Sequence, residues 1–159
     1  MANSTSANLK LTVQATGENS GTWGQITNTN LLILEQAIGG YSTFNVTNAS
    51  RALTFSNGAL SNGKNNVLKL TGTLAGNLNI TVPDSVEKTY IVQDSTDHAG
   101  NTLTFKTTSG TGVLLCEGNC YILYSDGTNI VKANEYRKWR AVSAAETVQA
   151  GAKLLVNTN

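Results

Sequence analysis

Cys116 and Cys120 are the residues whose types and spacing come nearest to chemistry. They bracket Glu117-Gly118-Asn119, the length of a three-residue hairpin loop. Residues flanking such a loop fall within the Cα separation of about 7 Å that a disulfide needs. Two readings stay open: a disulfide between Cys116 and Cys120, or two free thiols at the ends of a turn. A zinc corner finds no support, because structural zinc takes four ligands and His98 is the only histidine. His98 follows Asp97, but a Ser-His-Asp relay needs a carboxylate aimed at the imidazole, and adjacency in sequence gives no aim. Asp84, Glu87, Asp94, Asp97, Glu117 and Asp126 are spread over predicted turns, which favour acidic residues. Glycoside cleavage instead sets two carboxyl groups across a cleft. Ser109-Gly110-Thr111-Gly112 lacks the lysine of a phosphate cradle. The Asn-x-Ser/Thr triplets at Asn3, Asn45, Asn48 and Asn79 follow from the abundance of Asn and Thr. The reading therefore expects no catalytic site, metal or cofactor.

Arg137, Lys138 and Arg140 surround Trp139, a basic-aromatic grouping. Three cations are too few to neutralise a nucleic acid backbone. What remains is a surface contact at Arg137, Trp139 and Arg140, or a solvated linker with one anchored tryptophan. Trp139, Tyr121, Tyr124 and the 97–101 loop are also the residues on which a glycan-binding reading rests.

The elements that must position these residues are mostly strands. From Asn66 to Ala133 apolar side chains alternate with polar ones between short turns: Leu68 and Leu70; Leu78, Ile80 and Val82; Tyr90 and Val92; Leu103 and Phe105. A period of two puts every second side chain on one face, so each run predicts a half-buried strand. Such strands pair into a sheet with one dry face. Residues 41–56 read as a hairpin turning at Asn48-Ala49-Ser50, 57–66 hold two Asn-Gly turn signals, and Asp126-Gly127 marks another hairpin. Pro83 ends a strand because it cannot donate to the ladder. The expected fold is mainly β: a small antiparallel β-sandwich or barrel-like domain over 41–133, preceded by one amphipathic helix.

That helix is predicted from Trp23 to Ile38, with apolar residues three and four apart, Ser20 or Thr22 to cap it and Gly39-Gly40 to stop it. Leu31, Leu32, Ile33 and Leu34 cover nearly its whole circumference. A surface helix needs only one apolar stripe. Either this helix sinks into its own core or identical subunits share it near a symmetry axis. The second reading makes Trp23, Ile26, Leu31, Ile33, Leu34 and Ile38 an oligomer interface. Ahead of it, 2–8 read as a small polar lead and Leu9, Leu11 and Val13 as a lone strand able to add to a partner's sheet. The chain divides into 1–40 (arm and helix, for docking or trimerisation), 41–133 (the β domain) and 134–159 (a linker and the start of a further β module). Val142–Val156 reads as two short strands, the last unpartnered.

Composition favours β structure and turns over long helices. Only 13% of the 159 residues are charged, against roughly 25% in ordinary globular domains. The net charge of +1 gives no electrostatic footprint for nucleic acid or an anionic membrane. No apolar run of about 18 residues is present. The start, MANSTSANLKL, lacks the basic and apolar regions of a secretory signal.

TVQATGENSGTWG (12–24), TNTNL, IGG, KLTGTL, VP, SGTGV and SDGTNIV, in this order and spacing, resemble a family of bacteriophage tail-fibre or fibre-like virion proteins of phages of marine bacteria and cyanobacteria. The resemblance covers about residues 7–133, and the segment from Trp139 to Val156 resembles the opening of a further fibre module. It implies a non-enzymatic homotrimer, made in the bacterial host cytoplasm and built into the virion. The N-terminal part would dock on tail, baseplate or capsid proteins, and the distal part would support host attachment. A capsid decoration or vertex fibre and a host-glycan binding module are the alternatives. The Cys116/Cys120 pair departs from the family's pattern and leaves cross-linking open.

Overall fold

The computed structural model describes residues 2–133 and the backbone of two short segments, Arg140–Ala141 and Leu154–Leu155. The chain starts with a small antiparallel pair, β1 (Ser4–Thr5) and β2 (Thr12–Val13), so the lead carries a strand and the expected lone strand has a partner. One α-helix follows, α1 (Trp23–Gly39), then the strands β3 (Tyr41–Asn45), β4 (Arg51–Ala52), β5 (Val67–Thr73), β6 (Leu78–Val82), β7 (Glu87–Asp97), β8 (Leu103–Thr107), β9 (Gly112–Leu114), β10 (Cys120–Asp126) and β11 (Ile130–Lys132). A 3-10 turn, Asn62–Lys64, lies ahead of β5. Arg140–Ala141 (β12) and Leu154–Leu155 (β13) pair in parallel, so the expected unpartnered last strand also finds a partner.

The fold is mainly β with one helix, as the pattern predicts, but the pairing is not the expected antiparallel one. Odd-numbered β3, β5 and β7 lie side by side in parallel in the first sheet; even-numbered β4, β6 and β8 do the same in the second. The chain therefore crosses from sheet to sheet after every strand and returns one strand further on. Each step along a ladder, Tyr41 to Val67 to Ile91 or Leu78 to Leu103, skips roughly 25 residues, the spacing of a solenoid coil. Within the two large sheets, antiparallel pairing is confined to the far end, where β9 joins β8 and the β10–β11 hairpin joins β7. Residues 41–56 are accordingly no hairpin, since β3 and β4 lie in different sheets. Period two specifies a half-dry strand, and it is blind to the direction of the neighbour.

Between the sheets the inward side chains stack in register. Phe44 and Leu70 share a row with Asp94; Leu68, Val92 and Tyr121 form the next; Tyr90 and Leu123 the one after. Ile80, Val82, Leu103 and Phe105 face them from the second sheet and are fully buried. Tyr90 meets Phe105 edge to face, with centroids 5.4 Å apart, which adds about 0.5–1.5 kcal/mol beyond area burial. The arches between sheets are tied by side chains of the neighbouring coil. Ser50 Oγ accepts Asn79 N–H, Asn77 Oδ1 accepts Thr102 N–H, and Asn101 Nδ2 donates to Leu74 O. These bonds satisfy main-chain groups that the ladders cannot reach at the bends.

Candidate functional site

The helix is amphipathic in an inverted sense. Its inner face is rich in amides. Asn30 bridges β2, accepting Thr12 N–H at Oδ1 and donating from Nδ2 to Thr12 O, both at 2.9 Å. Gln14 Nε2 donates to Thr27 Oγ1, and Gln36 joins Asn65 Oδ1 and Ser61 N–H. Ile33 is the apolar centre of this face, with 0% exposure. Trp23, Leu31, Leu32, Leu34 and Ile38 point outward and are exposed. Ordinary surface helices do the opposite. Of the predicted interface, Ile33 is therefore sealed inside its own chain and Ile26 is half-buried, whereas Trp23, Leu31, Leu34 and Ile38 stand open. The reading in which the helix sinks into its own core is overturned for Leu31, Leu32 and Leu34. Leu31, Leu34 and Ile38 follow one another at steps of three and four, the spacing of a helix–helix seam. Thr22 is at the N-cap, as the sequence allows, but makes no side-chain capping bond. Gly40 ends the helix, its N–H reaching Gln36 O at 2.9 Å.

This junction delivers the chain straight into β3. Glu35, Gln36, Gly39, Gly40, Tyr41, Leu60 and Asn65 line a shallow depression of about 370 Å³ there. Tyr41 faces outward on the first sheet, in register with Val67, Ile91 and Ile122. Tyr41, Ile122 and Tyr124 are exposed, Val67 and Ile91 half-buried.

The groups capable of chemistry are arranged differently from the sequence expectation. His98 is paired with Asp94, not with its neighbour Asp97: Nε2 lies 2.8 Å from Asp94 Oδ2. Asp94 is fully buried, and its Oδ1 accepts the N–H and hydroxyl of Thr96 at 3.1 and 2.6 Å. Glu117 Oε2 accepts His98 N–H, while Asp94's own N–H and carbonyl hold Asn119 O and Gly118 N–H. The main chain of Asp94 and the Glu117 carboxylate thus pin the end of β7 to the arch before β10. Every partner of the pair is structural, and among the described residues no cluster of His, Cys, Asp or Glu is fit to hold a metal. Cys116 and Cys120 are exposed free thiols. Cys116 N–H donates to Tyr121 Oη, and Tyr121 is buried, which removes it from the expected glycan-facing surface. Trp139 and Arg137 lie outside the described residues, as does the side chain of Arg140.

Two lysines escaped the sequence reading. Lys64 is fully buried and donates to Ser56 O and Ala59 O at 2.7 and 2.6 Å, clamping the loop that precedes its turn. Desolvation lowers its pKa. Lys88 donates to Asn65 O and Thr89 O, sits 4.4 Å over the Tyr90 ring, and is pushed down to about 8 by burial. Tyr90 Oη is buried without a partner, and desolvation raises its pKa. Nothing in the pattern marks Lys64, since it lies between Asn-Gly and Asn-Asn in a stretch that reads as turn.

No helix is long and apolar enough to cross a membrane among the described residues. Family models, curated proteins and solved structures were compared with the chain, and none matches.

Proposed function

We propose that this chain is a non-enzymatic structural protein of a bacteriophage particle, a tail fibre or fibre adaptor. In this reading it works as a homotrimer, docks on tail, baseplate or capsid proteins through residues 1–40, and carries a β body that supports host attachment. The carrying observation is the outward apolar stripe of α1, Trp23, Leu31, Leu32, Leu34 and Ile38, on a helix whose inner face is already satisfied by amide hydrogen bonds. A contiguous exposed apolar patch marks a surface that another macromolecule covers. Its seam spacing suits packing against copies of the same helix. The stacked coils support the same reading, because a solenoid gives a stiff body without a central cleft. His98 pairs with the buried Asp94 carboxylate, and its N–H is held by Glu117.

Light scattering on the purified full chain tests the oligomer. The expected mass is three times 16.8 kDa, collapsing to one chain in Leu31→Asn/Leu34→Asn with the circular dichroism of the β body retained. A well-folded wild-type monomer at high concentration overturns the trimer. Mass spectrometry of purified particles tests the location, and its absence from particles that contain the other tail proteins overturns the virion assignment.

A further inference from the structure

We infer that the outer row of the first sheet, Tyr41, Val67, Ile91 and Ile122 with Tyr124 beside it, belongs to the same contact as the α1 stripe and seats a second copy of this chain. The inference rests on the self-association proposed above and extends it from the helix to the β body. Exposure on α1 is 64% for Trp23, 58% for Leu31, 50% for Leu32, 37% for Leu34 and 76% for Ile38. At roughly 200 Å² for an aromatic and roughly 100 Å² for an aliphatic side chain, this leaves about 350 Å² of apolar surface open on the helix. A stable interface of standard size buries about 800 Å² per partner, of which about 500 Å² is apolar. The helix alone falls short.

The row closes the gap. Tyr41 is 57% exposed, Ile122 43% and Tyr124 39%, adding about 230 Å² on the same scale. The two surfaces are continuous. Ile38 and Tyr41 are separated only by Gly39 and Gly40, and Tyr41 shares its depression with Glu35 and Gly39 of α1. Register carries the apolar line from Tyr41 across Val67 and Ile91 to Ile122, four strands wide and free of charge. Charged residues border it, at Lys69 in the next row, at Glu87 and Asp126 beyond Tyr124, and at Glu35 in the depression beside Tyr41. An uncharged helix seam joined to an uncharged sheet row is complementary to itself, which favours a copy of the chain over a charged partner.

The test is a dilution series of the full chain by analytical ultracentrifugation, for wild type, Tyr41→Arg/Tyr124→Arg and Leu34→Asn, with hydroxyl-radical footprinting of the tyrosines. Circular dichroism checks that each variant is folded. The expected result is a dissociation constant at least 100-fold weaker in both variants, and protection of Tyr41 and Tyr124 that disappears on dilution. If wild type is monomeric throughout, self-association fails and this inference with it. If wild type associates and Leu34→Asn breaks it while Tyr41→Arg/Tyr124→Arg changes affinity less than twofold, the helix contact stands and the sheet row is overturned. Protection of both tyrosines in the dissociated chain assigns the row to a cover other than a second copy and also overturns it.

Discussion

At the scale of single residues the informative feature is a polar replacement in an apolar stack. Asp94 occupies on β7 the place that Leu70 holds on β5, and His98 comes one position after the last paired residues, Thr73 and Asp97, where the previous coil has Leu74. A buried carboxylate that loses its partner costs several kcal/mol, whereas exchanging the whole pair for apolar groups is far milder. His98→Leu should therefore lower unfolding stability by about 2–4 kcal/mol. Asp94→Leu/His98→Leu should regain more than half of that loss in urea denaturation. Full recovery is not expected, because the Thr96 N–H and hydroxyl lose their acceptor. Losses that simply add in the double variant would show that the pair is not coupled. Adjacency to Asp97 carried no information about this pairing. Residues four apart on a straight strand sit about 13 Å apart, so the chain between Asp94 and His98 must curve to bring Nε2 within 2.8 Å of Oδ2. That bend was not legible from residue types. Lys88 gives the pH prediction. Its folded pKa, about 8, lies below the ordinary 10.5. Between those values the unfolded chain holds a proton that the folded chain has released, so stability rises with pH across that window. Solvent screening reduces the gain to on the order of 1–2 kcal/mol. A neutral amine still donates to Asn65 O and Thr89 O. The urea midpoint should be higher at pH 10 than at pH 7.5, and Lys88→Met should remove most of the difference; an unchanged slope in that variant assigns the effect elsewhere.

Among elements, the helix was the most legible and the sheets the least. Spacings of three and four with a Gly-Gly stop located α1 to within a residue, since local chemistry sets those ends. Which side it buries depends on Asn30 and Gln36 finding Thr12, Ser61 and Asn65, contacts made across the fold. That is why Ile33 went inside while Leu31 and Leu34 did not. For the runs at Leu68–Leu70, Leu78–Val82, Tyr90–Val92 and Leu103–Phe105, alternation located a strand and left its neighbour undetermined. The clue to parallel coils was a repeat: Ala75-Gly76-Asn77 and Ala99-Gly100-Asn101 occupy the same bend in successive coils. The glycines of the junctions differ sharply in what they tolerate. A Cβ at Gly40 would overlap Gln36 O and press on Asn65 Oδ1, whereas one at Gly76 meets nothing. Gly40→Ala should cost about 1–3 kcal/mol by overpacking the helix–strand junction, and Gly76→Ala should stay within about 0.5 kcal/mol of wild type or stabilise slightly. Equal effects on thermal unfolding would mean that the helix is not anchored through Gly40.

For the whole molecule, the decisive property is that each coil contacts only its neighbours. β5 is bracketed by β3 and β7 in one sheet, and β6 by β4 and β8 in the other. In such a stack stability is close to a sum of coil and interface terms, and a unit inserted in register extends the core instead of disrupting it. Val67 and Ile91 hold equivalent places in the ladder. A chain running from 1 to 90 and then from 67 to 159 therefore repeats one coil without changing the phase of any inward side chain. It adds a second set of Leu68, Leu70, Ile80 and Val82 to the row between the sheets, all fully buried in the parent. The expected protein folds, shows more strand signal, and unfolds with a larger urea m value, because more surface is exposed on unfolding. Repeating only 67–78 is the control. It returns the chain half a coil out of phase, so that residues meant for one sheet arrive at the other and the apolar faces turn outward. Loss of cooperative unfolding in the full-coil duplicate, matching the half-coil control, would show that the parallel ladders do not act as a repeating unit.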